Sequence, residues 1–140
     1  MKAHLTRRYI FSASHRLHCD ELSPDENRAV YGKCNNPHGH GHNYALEVTV
    51  SGQVDPSTGM VCNLAALDEA VQREVLERFD HVNLNVRPEF TSEVPTTENL
   101  SEVIFNILRQ SFSSAHLEKV RLEETAMNSF EYVGGAELRT

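Results

Sequence analysis

The stretch His40-Gly41-His42-Asn43-Tyr44-Ala45-Leu46-Glu47-Val48-Thr49-Val50-Ser51 decides how the chain reads. His40, His42, Tyr44, Leu46, Val48 and Val50 share one parity, and Gly41, Asn43, Glu47, Thr49 and Ser51 the other. Side chains of a strand leave opposite faces in alternation. The pattern therefore predicts a half-buried strand over 40–54 whose inward face begins with two histidines. Asp55-Pro56-Ser57-Thr58-Gly59 ends it in a turn.

Working outward, Leu5, Tyr9, Phe11, Ala13, His15 and Leu17 also alternate with polar neighbours, which predicts a first strand over 5–17. Residues 18–39 are polar and carry Pro24, Gly32, Pro37 and Gly39, which predicts a loop of about twenty residues. Downstream, Asn63 is a plausible N-cap for a helix over 64–79, with Leu64, Leu67, Val71, Val75, Leu76 and Phe79 at helical spacing. Thr97 is the expected N-cap of a second helix, whose stripe is Leu100, Val103, Ile104, Ile107, Leu108 and Phe112. Residues 117–125 and 129–134 predict a closing hairpin. The order strand, strand, helix, helix, strand, strand gives an α+β fold: a four-stranded antiparallel sheet with two helices on one face. No repeat or composition shift divides the chain, so one domain over 1–140 is expected.

Composition narrows the function. The chain has 140 residues and a net charge of −7. Residues 1–44 hold six Lys/Arg against four Asp/Glu, and the remainder seven against sixteen. Nucleic acid is a poor partner for such a chain, because backbone binding needs a broad basic face. No apolar run reaches the roughly 18 residues of a membrane span. The first residues lack the apolar stretch of a signal peptide, so a cytoplasmic location is the expectation. Three cysteines with no CxxC pair argue for free thiols.

The histidines carry the chemistry. His40 and His42 leave the same face of one strand. If the two strands pair antiparallel, the end of the first, His15, lies beside them. Three converging imidazoles match an open, catalytic zinc site. A lone histidine on an apolar face is more often a satisfied core residue, but three imidazoles packed together are costly as core. His18 and His38 are rival ligands in the loop, and His4 and His116 read as surface residues. Cys34 follows Lys33, which makes it a candidate low-pKa nucleophile or base, although lone loop thiols are commonly inert. Asp80-His81 follows the first helix; a carboxylate can orient an imidazole, yet such a pair at a helix end is commonly a surface feature. Glu124 shares the parity of Val120 and Leu122. A carboxylate on that face needs a partner, and a pterin or guanine ring offers two adjacent N–H donors.

These residues stand in FSASHR (11–16), CNNPHGHGHNY (34–44), DPSTGMV (55–61), DHVNL (80–84), PTTEN (95–99) and ET (124–125). In that order they resemble the 6-pyruvoyl-tetrahydropterin synthase and 6-carboxy-tetrahydropterin synthase family, closest to the pyruvoyl branch, over about residues 8–135. The resemblance implies the tunnelling fold, in which subunits close a barrel and two trimers stack as a homohexamer. It implies Zn2+ on His15, His40 and His42, and Cys34 as catalytic proton acceptor assisted by Asp80 and His81, in sites that form between subunits. It gives Glu124 two roles, pterin anchor and relay member, and lines the pterin pocket with Thr96, Thr97 and Glu98. The implied reaction is that of a carbon–oxygen lyase, turning 7,8-dihydroneopterin triphosphate into 6-pyruvoyl-tetrahydropterin and triphosphate. Arg16, Arg28 and Lys33 are candidate triphosphate contacts, on charge and location.

The alternative is 6-carboxy-tetrahydropterin synthase of queuosine biosynthesis, which resembles this chain in its site residues and releases acetaldehyde. Five residues between Cys34 and His40, and the Thr96-Thr97-Glu98-Asn99 motif, resemble the pyruvoyl branch. A third branch carries Glu where Cys34 stands. His38 stands where Asn is common in the family. A closed structural zinc module would need a fourth ligand, and a zinc hydrolase of the His-Glu-x-x-His type has no matching helix here.

Overall fold

The computed structural model describes residues 1–134. Five strands form one sheet: β1 (Lys2–His15), β2 (His40–Gln53), β3 (Val82–Asn83), β4 (His116–Thr125) and β5 (Asn128–Tyr132). Their spatial order is β3-β1-β2-β4-β5. The four long strands pair antiparallel, as their alternation predicts. β3 adds a fifth, parallel strand at the β1 edge, pairing Val82 with Ala13. Two residues are too few to leave a periodic signal.

The central pairing is that of β1 with β2. Its register sets His15 opposite His40 and Ala13 opposite His42. Outward-facing charges resist a slip: Arg8 bonds Glu47 at 3.1 Å and Glu123 at 3.3 Å, and Arg121 bonds Glu47 at 3.3 Å. A one-residue shift would turn these charges into the core.

Two helical rods cover the inward face. The first runs through α2 (Leu64–Val71), a π-helical turn (Gln72–Leu76) and α3 (Glu77–Phe79), capped by Asn63 as expected. The second is α4 (Thr97–Ser111). Its N-cap is Thr96, one residue before the expected Thr97, because the Thr96 hydroxyl accepts the Asn99 N–H. Leu67, Val71, Val75 and Phe79 of the first rod and Leu100, Ile104 and Leu108 of the second share one core with Phe11, Tyr44, Leu46, Val48, Val120 and Leu122.

The expected loop over 18–39 holds a further helix, α1 (Pro24–Tyr31), and a 3-10 turn (Gly32–Asn35). Ser23 and Glu26 form a reciprocal capping box and Pro24 fills the first turn. The helix lacks an apolar stripe, so periodicity misses it. Its anchor is polar: the buried Asn27 amide donates to the carbonyls of Cys19, Leu22 and Ser23, and its oxygen accepts the Cys19 N–H. No helix among the described residues is long and apolar enough to cross a membrane.

Candidate metal centre

The ends of three adjacent strands meet at the site. His15 closes β1, His42 lies at the start of β2, and Glu124 lies near the end of β4. His15 is fully buried. Its Nδ1 donates to the Pro95 carbonyl at 2.9 Å, just before α4, and lies 3.3 Å from the Tyr44 hydroxyl. That bond fixes the tautomer and leaves Nε2 bare, the usual arrangement for an imidazole that holds a metal.

Nε2 of His15 stands 3.2 Å from Nε2 of His42. Oε1 of Glu124 is 2.9 Å from the same atom of His42 and 3.8 Å from that of His15. Cys34 brings its Sγ to 3.7 Å from His42 Nε2. These four donor atoms all lie within 4.8 Å of one another.

Such crowding needs a cation or shared protons between the lone pairs. Tetrahedral zinc with Zn–N near 2.05 Å separates two nitrogens by about 3.3 Å, close to the distance between the two imidazoles. A set of imidazole, thiol and carboxylate donors fits zinc and its borderline neighbours.

His40, the third expected ligand, is exposed and lies beside the cluster, its ring centre 4.8 Å from that of His42. Burial drives the His15 and His42 imidazoles below their ordinary value of 6.5, and the neighbouring imidazoles add to it. Neutral imidazoles are the metal-binding form. Burial first, and then the Glu124 carboxylate, push the Cys34 thiol up.

Three contacts hold the cysteine turn against the end of β1. The Leu17 N–H donates to the Cys34 carbonyl at 2.7 Å. The buried Asn35 amide donates to the Leu17 carbonyl at 2.7 Å and to His18 Nδ1 at 3.1 Å. Gly39 passes over His15 with φ +81°, and a Cβ there would meet the His15 carbonyl oxygen at 3.1 Å. Only glycine suits that backbone. Asn35 and Pro95 escape a reading of chemistry-bearing residue types, since Asn35 acts by tying a turn through its side-chain amide and Pro95 through its backbone carbonyl.

Other expected site residues are spread more widely. Asp80 accepts the Ser12 N–H at 2.8 Å and sits 2.9 Å from His81 Nδ1. His81 adopts φ 61°, unusual for a non-glycine residue. It lines a cleft with Ser12, Ser14, Gly41 and Asn43, which His42 of the donor cluster also borders. No hydrogen bond joins the pair to Cys34 among the described residues.

In the PTTE segment, Thr96 caps α4, Glu98 is exposed, and Thr97 is buried with its hydroxyl unpartnered among the described residues. Arg16, Arg28 and Lys33 line a cavity that His40 also borders.

Residues 4–135 match the family described as 6-pyruvoyl tetrahydropterin synthase. The 6-pyruvoyl tetrahydrobiopterin synthase of Drosophila melanogaster is 47% identical over 134 residues, covering 94% of this chain and 80% of that one. The Homo sapiens protein of the same name is 46% identical over 134 residues, covering 95% and 92%. The structure of Caenorhabditis elegans 6-pyruvoyl tetrahydropterin synthase superposes with a TM-score of 0.90 at 42% identity, covering 96% of this chain and 97% of that one. On fold, motif order and full-length likeness, this chain belongs to the 6-pyruvoyl tetrahydropterin synthase family.

Proposed function

We propose that the chain is a zinc-dependent lyase that converts 7,8-dihydroneopterin triphosphate to 6-pyruvoyl-tetrahydropterin and releases triphosphate. The observation that carries this reading is a thiol inside the donor cluster, with Cys34 Sγ 3.7 Å from His42 Nε2. A base stands where a metal-polarised C–H would be presented. Relatives that carry this name match over nearly the whole chain. We read 1–140 as one domain that assembles as a hexamer in the cytoplasm.

His15 and His42, with His40 beside them, would hold the zinc ion, which supplies Lewis-acid polarisation of the substrate's side-chain hydroxyls and so acidifies the adjoining C–H bonds. Cys34, as thiolate, takes the proton. The electron pair left on carbon reduces the C=N bond of the dihydropterin ring, so no nicotinamide is consumed. A second deprotonation, at the side-chain carbon next to the one that carries triphosphate, forms a C=C bond as triphosphate departs with the electron pair of its C–O bond, and the resulting enols tautomerise to the two ketones of the pyruvoyl side chain. The raised pKa of the thiol makes it a strong base once deprotonated. Glu124 anchors the ring through two N–H donors; to accept both it turns Oε1 away from His42. Thr96, Thr97 and Glu98 border the pterin, and Asp80 with His81 completes the proton relay from a neighbouring copy.

Purified protein given dihydroneopterin triphosphate is the test. Mass analysis should find the pyruvoyl product and triphosphate, and Cys34→Ala should lose about a hundredfold or more in turnover. Acetaldehyde among the products would assign the chain to the 6-carboxy branch. Unchanged turnover in Cys34→Ala would remove the thiol from the mechanism.

A further inference from the structure

His18 stands outside the donor cluster, and both of its ring nitrogens are engaged. Nδ1 lies 3.1 Å from the Asn35 side-chain nitrogen, and Nε2 lies 3.2 Å from Asp20 Oδ1. The far end of this chain of contacts fixes its protons. The Leu17 carbonyl can only accept, so the Asn35 group 2.7 Å from it is the amide nitrogen, donating one of its two N–H bonds. The second N–H points at His18 Nδ1, which therefore accepts with its lone pair. The imidazole proton is left on Nε2, facing the Asp20 carboxylate. A ring committed in this way has no lone pair to spare for a cation. The rival-ligand role that the sequence leaves open to His18 is closed by that tautomer.

The ring is itself held in place. Leu17 before it is buried. The Asn27 side chain grips the backbone of Cys19 after it, accepting from the N–H at 2.8 Å and donating to the carbonyl at 2.9 Å. A fixed acceptor thus meets a buried amide, that of Asn35, 7% exposed. Asn35 adjoins Cys34, whose own carbonyl accepts the Leu17 N–H at 2.7 Å. The backbone of Leu17 is clasped at both its N–H and its carbonyl, and His18 takes the last donor of the clasp. Without an acceptor there, a buried N–H is stranded, which costs more than a satisfied hydrogen bond contributes. The amide would turn toward water and carry the cysteine turn with it. Cys34 Sγ, 3.7 Å from His42 Nε2, has little room for such a move. A misplacement of about 1 Å in a reacting group can cost about a hundredfold in rate.

We propose that His18 is a positioning residue for the Cys34 thiol, the neutral acceptor that locks the Asn35 amide against Leu17. Its effect on turnover rests on the lyase reading, whereas the brace itself does not.

The first test needs no variant. Long-range ¹H–¹⁵N correlation spectra of the full chain should show His18 as the Nε2–H tautomer, and the Nδ1–H tautomer would overturn the proposal. The second compares His18→Asn, whose side-chain oxygen stands near the place of Nδ1, with His18→Leu, which offers no acceptor. In metal-loaded protein, His18→Leu should lower kcat roughly tenfold, the weight of one stranded buried donor, and leave KM and bound zinc unchanged. His18→Asn should recover most of the loss. In metal-stripped protein, alkylation of Cys34 by iodoacetamide, followed by peptide mass spectrometry, should quicken several-fold in His18→Leu and match the parent in His18→Asn. The buried Cys62 should stay protected in both, which reports an intact core. Equal behaviour of the two variants, or loss of bound zinc in both, would overturn the proposal, the latter by making His18 a ligand. If the tautomer and the alkylation pattern hold but the parent turns over no dihydroneopterin triphosphate, the brace stands and the lyase reading falls.

Discussion

Asn35 shows how much of the site depends on a residue that touches no reactant. Its amide ties the cysteine turn to the end of β1, one residue pair beyond His15. Asn35→Ala should lower kcat by up to about a hundredfold, the penalty of a misplaced reacting group. KM and bound metal should stay near their original values, which separates misplacement of the thiol from collapse of the metal centre.

The imidazoles make a second prediction at this scale. His15 and His42 have folded-state pKa values below the unfolded value of 6.5. The unfolded chain therefore binds more protons just below that value. Their contribution to stability is complete above pH 6.5 and is lost as pH falls toward the depressed folded values. Urea midpoints of metal-stripped protein should be flat above that pH and decline below it. Substituting both residues with Gln should flatten the acid limb.

At the scale of elements, the inward row of β2 joins core and site. Leu46 is fully buried two residues beyond Tyr44, whose hydroxyl faces His15. Leu46→Ala should cost about 2–5 kcal/mol in chemical denaturation, the transfer loss plus a cavity. The alternation of this row, and of β1, was plain in the sequence, because a sheet buried on one face imposes a period of two. The convergence of His15 with His42 followed from it, since antiparallel pairing leaves the end of one strand beside the start of the next. The stripes of α2 and α4 were equally legible.

The helix over Pro24–Tyr31 was not legible through periodicity, because a buried asparagine and a capping box hold it in place of an apolar stripe. Nor did local pattern reveal β3 or the placement of Asp80-His81 beside it. Both depend on a backbone bond between His81 and Ser12, distant in sequence. Glu124 was legible by parity as an inward carboxylate, whereas its approach to His42 needed the pairing of β4 with β2.

For the whole molecule, two sets of functional groups stand apart in one chain. Cys34 lies in the donor cluster, and Asp80 with His81 lies beside β3, in a cleft that His42 also borders. We propose that the pair assists the thiol of a neighbouring copy. Cys34→Ala and His81→Ala subunits, each impaired alone, should regain activity when co-refolded, because mixed assemblies rebuild some sites with both intact groups. Additive residual rates with no recovery would confine the chemistry to one chain.

The most direct measurement is the metal content of the active protein, by elemental mass spectrometry alongside turnover of dihydroneopterin triphosphate. The donor cluster predicts one ion per chain, with activity lost on chelation and restored when zinc is returned. Full turnover by metal-free protein would contradict it.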